Sequence, residues 1–340
     1  MNKVLSYIFS WSIFTLSIFL LLGCTKESMV NEDKFLVLHL NYDLSEHIYD
    51  GNDVVGTVSS QSISVSEDNQ LIRYIIRVYP IAKNQNSKTC IKELEFTRDL
   101  AVGYNCDVTI ELAPGDYEIM VWSDLLKGGQ PRYNVDDFAS ISIIGNHEGN
   151  NAYIDAYRGK VSISQDYFND IDNIHGINIS MQRPLAKFEF IANDLIEFIN
   201  REWADMPEAQ KNSRQTINLK DYTVVFYYVG FMPDTYSVFT DRPVDSATGV
   251  MFESTLNMLT ETEASLGFDY VFVNDRESAV TVRVGVYDAK NELVSMTSPI
   301  KVPLKRNHYT ILHNPYLTTK TPDGINIDPS YDGNYTLIIP

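Results

Sequence analysis

Residues 108–123 carry the sequence VTIELAPGDYEIMVWS, in which an apolar residue stands at every second position on both sides of a turn. This alternation is typical of strands that bury one face of a sheet. Between the two runs, Pro114 has its φ held at about −65°, and Gly115 accepts the positive φ that a type II turn requires at its next position. The segment therefore predicts a β-hairpin in which Val108 to Leu112 pairs with Tyr117 to Ser123.

Further strand-like runs surround this segment in the first half of the chain. Turns rich in Gly, Asn and Asp separate them, as at residues 145–151. Many short strands spaced in this way are typical of a β-sandwich. The runs lie at residues 36–42, 71–79, 140–144, 160–164 and 176–181.

The pattern breaks at Arg183 and Pro184, where we place a boundary between two domains. Beyond it, a new strand has apolar residues on one face and Lys187 and Glu189 on the other. The most regular strand signal of the chain is the valine series at 280, 282, 284 and 286. We therefore predict a mainly β fold with two tandem β-sandwiches, residues 34–182 and residues 183–340.

One helix is predicted in the second domain, over residues 195–206. Asp194 is a candidate N-cap, and Glu197 stands at the third helical position, as in a capping box. The apolar stripe that we expect to pack on the sheet consists of Leu195, Ile196, Ile199, Trp203 and Met206.

The first residues of the chain predict its destination. Lys3 is followed by an apolar run from Val4 to Leu22, and the run ends in Gly23 and Cys24. This ending resembles the lipobox of bacterial lipoproteins, which implies a signal peptide at residues 1–23 and a lipid on Cys24. The alternative is an N-terminal membrane anchor with a chance cysteine.

A polar tether at residues 24–33 follows the lipidation site. At about 3.4 Å per residue it can hold a folded domain roughly 30 Å from a membrane. Within it, Lys26 followed by Glu27 resembles the export signal of surface-exposed outer-membrane lipoproteins, although only one acidic residue follows the lysine. We therefore expect an outer-membrane lipoprotein on the cell surface.

Composition restricts the function further. The chain has 340 residues, of which 44% are hydrophobic, so it can bury a sizeable core. Its 27 basic and 45 acidic residues give a net charge of −18, which repels nucleic acids. Cys90 and Cys106 are an even pair in a chain expected to leave the cytoplasm, and they form either a disulfide or two free thiols.

Five further segments carry a family resemblance, namely Asp116–Asp124, Arg183–Phe188, Phe268–Asn274, Val302–Asn307 and Ile327–Gly333. They resemble fimbrillin-like lipoproteins that contain a domain of unknown function, from the phylum that assembles type V pili. The resemblance implies transthyretin-like or immunoglobulin-like sandwiches and brings no catalytic residue. It also implies that a C-terminal strand, here Tyr335, Leu337 and Ile339, can complete the sheet of a neighbouring subunit.

In type V pilins a protease cuts after an Arg or Lys near the start of the first domain. Here no Arg lies between Cys24 and Arg73, and Arg73 stands inside a predicted strand. The usual site is therefore either missing or replaced by Lys34. This favours an anchor or accessory subunit that keeps its lipid. Ordinary pairing of the C-terminal strand within its own domain is the alternative.

Catalytic, metal-binding and glycan-binding functions have weak support in the sequence. Motifs of common hydrolases, dinucleotide binders and zinc proteases are missing from the sequence. The acidic groups at Asp166 to Asn173 and Asp323 to Asp332 do not have calcium-loop spacing, so we expect no metal and no cofactor other than the lipid. Trp122 and Trp203 are candidates for glycan stacking but are better explained as core residues.

We therefore predict a non-catalytic surface protein that acts as a pilus anchor, an accessory subunit or an adhesin. A surface glycan-binding module is the alternative. The expected partners are the outer membrane, other fimbrillin-like subunits, and a host or glycan ligand.

The lipid prediction is testable with Cys24→Ala. We expect the unchanged chain to incorporate labelled palmitate and to be removed from intact cells by protease, because acyl chains hold it at the surface. The Cys24→Ala chain is expected to lose the label. A Thr25→Ala chain is the control, and palmitate incorporation that persists without Cys24 would contradict the prediction.

Overall fold

The computed structural model describes residues 33–49, 54–59, 70–81, 89–169, 176–212, 217–274 and 278–319. In the first half the strands are β1 (Lys34–Tyr42), β2 (Ser45–Tyr49), β3 (Val54–Ser59), β4 (Leu71–Pro80), β5 (Lys92–Asp99), β6 (Cys106–Leu112), β7 (Tyr117–Leu126), β8 (Tyr133–Asn134), β9 (Ile141–Ile143), β10 (Ala156–Ile163) and β11 (Ile177–Met181).

The second half is also built mainly of strands. They are β12 (Leu185–Ala192), β13 (Thr223–Tyr228), β14 (Phe231–Ser237), β15 (Arg242–Thr248), β16 (Met251–Thr255), β17 (Asn257–Met258), β18 (Ala264–Phe272), β19 (Ser278–Tyr287), β20 (Leu293–Met296), β21 (Ile300–Leu304) and β22 (His308–Asn314). The helices are α1 (Leu195–Asp205) and the short α2 (Glu208–Asn212). The predicted mainly β fold is confirmed.

The first sandwich consists of a three-stranded sheet, β11-β1-β6, facing a four-stranded sheet, β10-β7-β4-β5. Its core lies between them and includes Leu38 and Ile179 from one sheet and Tyr74 and Val121 from the other. These four side chains are fully buried. Strand β1 pairs antiparallel with β6 and parallel with β11, so the first described strand holds the outer sheet together.

The predicted hairpin at residues 108–123 is wrong. Strand β6 pairs with β1, whereas β7 pairs with β4 and β10, so the turn at Pro114 crosses from one sheet to the other. The reason is that β6 has polar residues at alternate positions and suits an outer sheet. Strand β7 is apolar on both faces and pairs with β4, which is buried along nearly its whole length.

The sheet that contains β4 and β7 buries a second face against the other half of the chain. Trp122 and Ile75 point into this second core, together with Tyr133, Tyr236 and Phe272. Strands β12 and β18 of the second half contribute to it. The two halves are therefore packed together through a shared layer of apolar side chains and are not connected only by a linker.

Ion pairs are buried in the same layer. Arg73 donates from Nε and Nη2 to the two carboxylate oxygens of Asp124, at 2.9 and 2.6 Å, and its Nη2 also donates to the Tyr133 carbonyl. Arg183 pairs with buried Asp155 at 2.9 Å. These pairs satisfy charges that could not otherwise be buried.

Strands also cross between the halves. Strand β2 pairs in parallel with β22, which joins β2 and β3 to the six-stranded sheet β17-β18-β12-β22-β2-β3. Strand β9 pairs with β14 in a second shared sheet, β15-β14-β9-β8. Chain order therefore does not separate the sheets of the two halves completely.

The second sandwich places the six-stranded sheet against the sheet β16-β13-β19-β20, with β21 also paired to β19. All four valines of the 280–286 series are buried in the core between them, as their alternation predicts. A bulge in β18 at Gly267, with φ +137°, shifts the register opposite Phe190. Beyond the bulge, Phe268 and Tyr270 face the junction of the halves, and Asp269 turns inward.

Helix α1 differs from its prediction in two respects. Its buried residues are Leu195 and Phe198, while Ile196 and Trp203 are 44% and 40% exposed. Asp194 precedes the helix but forms no side-chain cap. Its carboxylate instead accepts hydrogen bonds from the main-chain N–H groups of Leu317 and Thr318, and thereby holds the segment that follows β22.

The shared layer generates a stability prediction. Replacing Arg73 alone with Met should lower the free energy of unfolding by about 3–5 kcal/mol, because it leaves the buried Asp124 carboxylate unpaired. The double change Arg73→Met with Asp124→Leu should recover much of that loss. Urea unfolding followed by tryptophan fluorescence measures both.

The control is the half-exposed pair of Lys160 and Glu118, whose charged atoms are 2.7 Å apart. Lys160→Met should cost about 1 kcal/mol or less. Equal losses for Arg73→Met and Lys160→Met would contradict the role given to the buried pair.

Candidate functional site

The first sandwich is closed along one side and open along the other. On the closed side Arg158 and Gln182 join β10 to the end of β11 through two main-chain hydrogen bonds of 2.9 Å. On the open side β5 and β6 are the edge strands of their sheets. Within the described ranges, no strand pairs with the free edge of either one.

A groove of about 720 Å³ runs between these two edges, and we call it the β5–β6 groove. Leu94 and Phe96 of β5 line one wall, and Cys106 and Val108 of β6 line the other. Leu40 of β1 lies at its floor. The alternation of β5 and β6 directs their apolar side chains inward and leaves Glu95, Thr97, Asp107 and Thr109 exposed.

The apolar side chains of β5 are less buried than those of the neighbouring strand β4. Leu94 and Phe96 are half-buried, whereas Ile72, Tyr74 and Ile76 of β4 are fully buried. Phe96 stacks on the ring of Tyr74 at 4.9 Å between centroids. Its remaining surface faces the groove, where an additional apolar side chain would be buried.

Two basic side chains bridge the groove from β5 to β6. Lys92 donates from Nζ to the carbonyl oxygen of Glu111 at 2.6 Å, and Arg98 donates from Nη1 to that of Asn105 at 3.0 Å. The Glu111 carbonyl therefore points away from β1. Because main-chain groups of an antiparallel strand alternate in direction, those of Asp107 and Thr109 also point outward.

This arrangement can accept an extended peptide. The outward main-chain groups offer hydrogen-bond partners along an edge, and the half-buried apolar wall offers sites for alternate side chains. Both features belong to recognition by β-strand addition. Lys92 and Arg98 provide the basic charge that commonly protects an edge strand from indiscriminate pairing.

The two cysteines lie in different places and are free thiols. Cys106 lines the groove, and burial raises the pKa of its thiol, although nearby Arg98 opposes this. Cys90 precedes Ile91, which bonds to Val78, while Cys106 contacts Tyr74. Tyr74 and Val78 are four residue steps apart along β4, a rise of roughly 13 Å, so the structure does not bring the thiols together.

Several predicted site residues lie outside the described ranges. They are Cys24 with the export residues Lys26 and Glu27, the C-terminal strand residues Tyr335, Leu337 and Ile339, and most of both acidic groups. Lys34 is described and is exposed at the start of β1. Trp122 is fully buried, as expected for a core residue, whereas Trp203 is partly exposed on α1.

In the described ranges, no three His, Cys, Asp or Glu side chains are placed to hold a metal ion. The same ranges contain no helix with the length and apolar character needed to cross a membrane. Sequence reasoning did not find the groove, because one of its walls comes from β5, which was not predicted as a strand. The alternation of Leu94 and Phe96 with Glu93, Glu95 and Thr97 was the available signal.

Over the described ranges the fold is that of two tandem β-sandwiches, and the β5–β6 groove opens along one side of the first. Residues 34–340 match the model of a family of unknown function (DUF6562), and the chain belongs to that family. No curated protein matches the chain in sequence.

Solved structures with a similar arrangement are distant. A candidate adhesin from Bacteroides ovatus is 11% identical, with a TM-score of 0.43 over 84% of this chain and 90% of that one. The fimbrial anchor protein Mfa2 from Porphyromonas gingivalis is 8% identical, with a TM-score of 0.36 over 77% and 81%. A fimbrial assembly protein from Parabacteroides distasonis is 10% identical, with a TM-score of 0.37 over 85% and 93%. Similarity of this degree does not establish a shared function.

Whether the groove is open in solution can be tested by the stability that the protein loses when Phe96 is truncated. Phe188 is fully buried in the second sandwich, so Phe188→Ala should cost about 3–5 kcal/mol of unfolding free energy. Phe96→Ala should cost about half as much, because its ring is already partly exposed. Urea unfolding measures both changes, and equal losses would show that the groove is filled in solution.

Proposed function

We propose that this chain is a lipid-anchored, fimbrillin-like protein of the cell surface that acts in pilus-like assembly or adhesion, as an anchor or accessory subunit. In this proposal it binds a neighbouring subunit and catalyses no reaction. The observation that carries the proposal is the β5–β6 groove, with an unpaired strand edge on each side of an incompletely covered apolar wall.

The chemistry of the groove favours a strand as its ligand. A strand added to β6 would take hydrogen bonds from the outward main-chain groups of Asp107 and Thr109. Its alternate side chains, spaced about 7 Å apart, would pack against Leu94 and Phe96. Main-chain pairing supplies affinity in such complexes, and the pockets supply specificity.

The proposed occupant is the C-terminal strand of a second fimbrillin-like subunit. The C-terminal sequence of this chain provides an example, since Tyr335, Leu337 and Ile339 alternate with Thr336 and Ile338. Three apolar side chains on one face of a strand match a wall whose own apolar residues repeat at every second position.

The position of Arg73 supports the role of an anchor or accessory subunit. Arg73 lies within β4, and its side chain is only 8% exposed and forms an ion pair with Asp124. A protease that cuts after arginine cannot reach this position in the folded protein. Lys34, exposed at the start of β1, is then the remaining candidate for a cut, and a chain that is left uncut there would stay attached to the membrane, as an anchor must.

The strand-docking proposal is tested with a peptide of residues 333–340 and the chain lacking those residues. We expect the peptide to bind. Leu94→Arg should abolish binding, because it places a charged side chain on the apolar wall of the groove. Thr97→Arg is the matched control, because Thr97 lies on β5 but points away from the groove. Fluorescence anisotropy of a labelled peptide measures affinity.

Oligomerisation provides a second measurement. The full chain should form SDS-resistant oligomers with itself or a co-expressed subunit, and Leu94→Arg should remove them. If Leu94→Arg folds and both peptide binding and oligomers persist, the groove is not the docking site. If neither the peptide nor a co-expressed subunit binds the unchanged protein, the assembly proposal fails.

A further inference from the structure

A second cavity lies where a loop of the first half meets the second sandwich, far in chain position from the β5–β6 groove. Its volume is about 470 Å³, within the range of about 300–1,000 Å³ that is usual for small-molecule sites. The loop of residues 147–153 forms one wall, and β16 and β18 form the other. We call it the junction pocket.

The lining of the junction pocket combines aromatic rings with neutral and charged hydrogen-bonding groups. Tyr153 and Phe268 present half-buried rings, and Asn150, Asn151 and Glu253 present amide and carboxylate groups. Aromatic rings bind the C–H faces of a sugar, while amides and carboxylates bind its hydroxyl groups.

The walls are held in place by hydrogen bonds and packing. The Asn150 N–H donates to the Phe268 carbonyl at 2.6 Å, and the Asn151 side chain accepts from the Tyr153 N–H at 3.0 Å. Gly149 lies against Phe252 so closely that a Cβ atom there would be 2.4 Å from the ring. A cavity with fixed walls loses little entropy when a ligand binds.

Buried charges fix the start of the loop. His147 pairs through Nε2 with the Asp269 carboxylate at 2.6 Å, and the Tyr228 hydroxyl donates to the same carboxylate at 2.5 Å. Burial alone would lower the pKa of His147, but Asp269 outweighs it and raises that pKa. His147 is therefore held in place by Asp269 through its Nε2 atom.

The Phe268 ring is held by contacts on the side of β12. Lys187 places its Nζ 4.9 Å from the ring centroid, and Tyr270 makes an edge contact at 6.0 Å. These contacts follow from the bulge at Gly267, which turns Phe268 toward the junction. The ring is thus positioned by the second half, while the facing loop belongs to the first half.

The charges around the junction pocket favour a neutral ligand. Glu148 is compensated by Arg132 at 3.0 Å and Lys127 at 3.6 Å, so these basic groups already have a partner. Glu253 lies on the opposite wall and is exposed. With the chain at a net charge of −18, an anionic ligand would be repelled overall.

We propose that the junction pocket binds a neutral saccharide, either a free oligosaccharide or the end of a glycan chain. This site is separate from the β5–β6 groove and does not require strand docking. It also differs from the tryptophan-based site considered from the sequence, because Trp122 is buried and Trp203 does not line the cavity.

The test uses the full chain in a detergent without a sugar headgroup. The neutral probes are maltose, cellobiose, lactose and N-acetyllactosamine, and sialyllactose is the anionic comparison. Saturation-transfer NMR followed by calorimetry measures binding. We expect at least one neutral probe to bind and sialyllactose to bind more weakly than its neutral counterpart, lactose.

Two variants locate the site. Glu253→Ala should weaken binding about fivefold, and Ala152→Trp should abolish it by filling the cavity. Thr255→Ala is the matched control, because Thr255 lies two residues from Glu253 on the same exposed face of β16 and does not line the pocket. Thermal unfolding shows whether each variant is folded.

Three results would overturn the proposal. They are no binding of any neutral probe, binding only of sialyllactose, and binding that is unchanged in folded Glu253→Ala and Ala152→Trp chains. None of these results bears on peptide binding at the β5–β6 groove, so the two proposals can fail independently.

Discussion

Strands β4 and β7, at the centre of the sheet β10-β7-β4-β5, are buried on both of their faces, and most of the architecture depends on this constraint. One face packs on the outer sheet of the first sandwich, and the other packs on residues from the second half, including Tyr236 and Phe272. A sheet that is apolar on both sides cannot be exposed to water on either side without a large loss of hydrophobic free energy. The two halves must therefore pack together, and the buried pair of Arg73 and Asp124 lies inside that contact.

This constraint also explains where the binding surfaces are found. The faces of the sheet β10-β7-β4-β5 are used for packing, so only its edges remain for ligands. One edge is closed by the bridge between Arg158 and Gln182, and the other, at β5, is free within the described ranges. The junction pocket arises differently, because the loop at residues 147–153 reaches across to β18 where the halves meet.

Much of the strand content was predictable from local alternation, as with the valines of β19 and the apolar face of β12. Which strands pair with each other was not predictable, and residues 108–123 show why. Both runs alternate, and a proline-glycine turn joins them, but alternation does not reveal which partner a strand selects. The β5–β6 groove was missed for a related reason, since the sequence does not show which edges come together. In α1, the residues that face the core depend on the sheet beneath, and this left Trp203 exposed.

The sequence by itself determined the class of fold, the apolar series that form the cores, and the expectation of a lipid on Cys24. These are local properties, encoded in side chains a few positions apart. Tertiary structure alone decided that β2 and β9 pair with strands of the other half, that Asp194 holds Leu317 instead of capping a helix, and where the β5–β6 groove and the junction pocket form. Each of these depends on residues far apart in the chain, whose contacts are selected by the burial of whole sheets and not by local pattern.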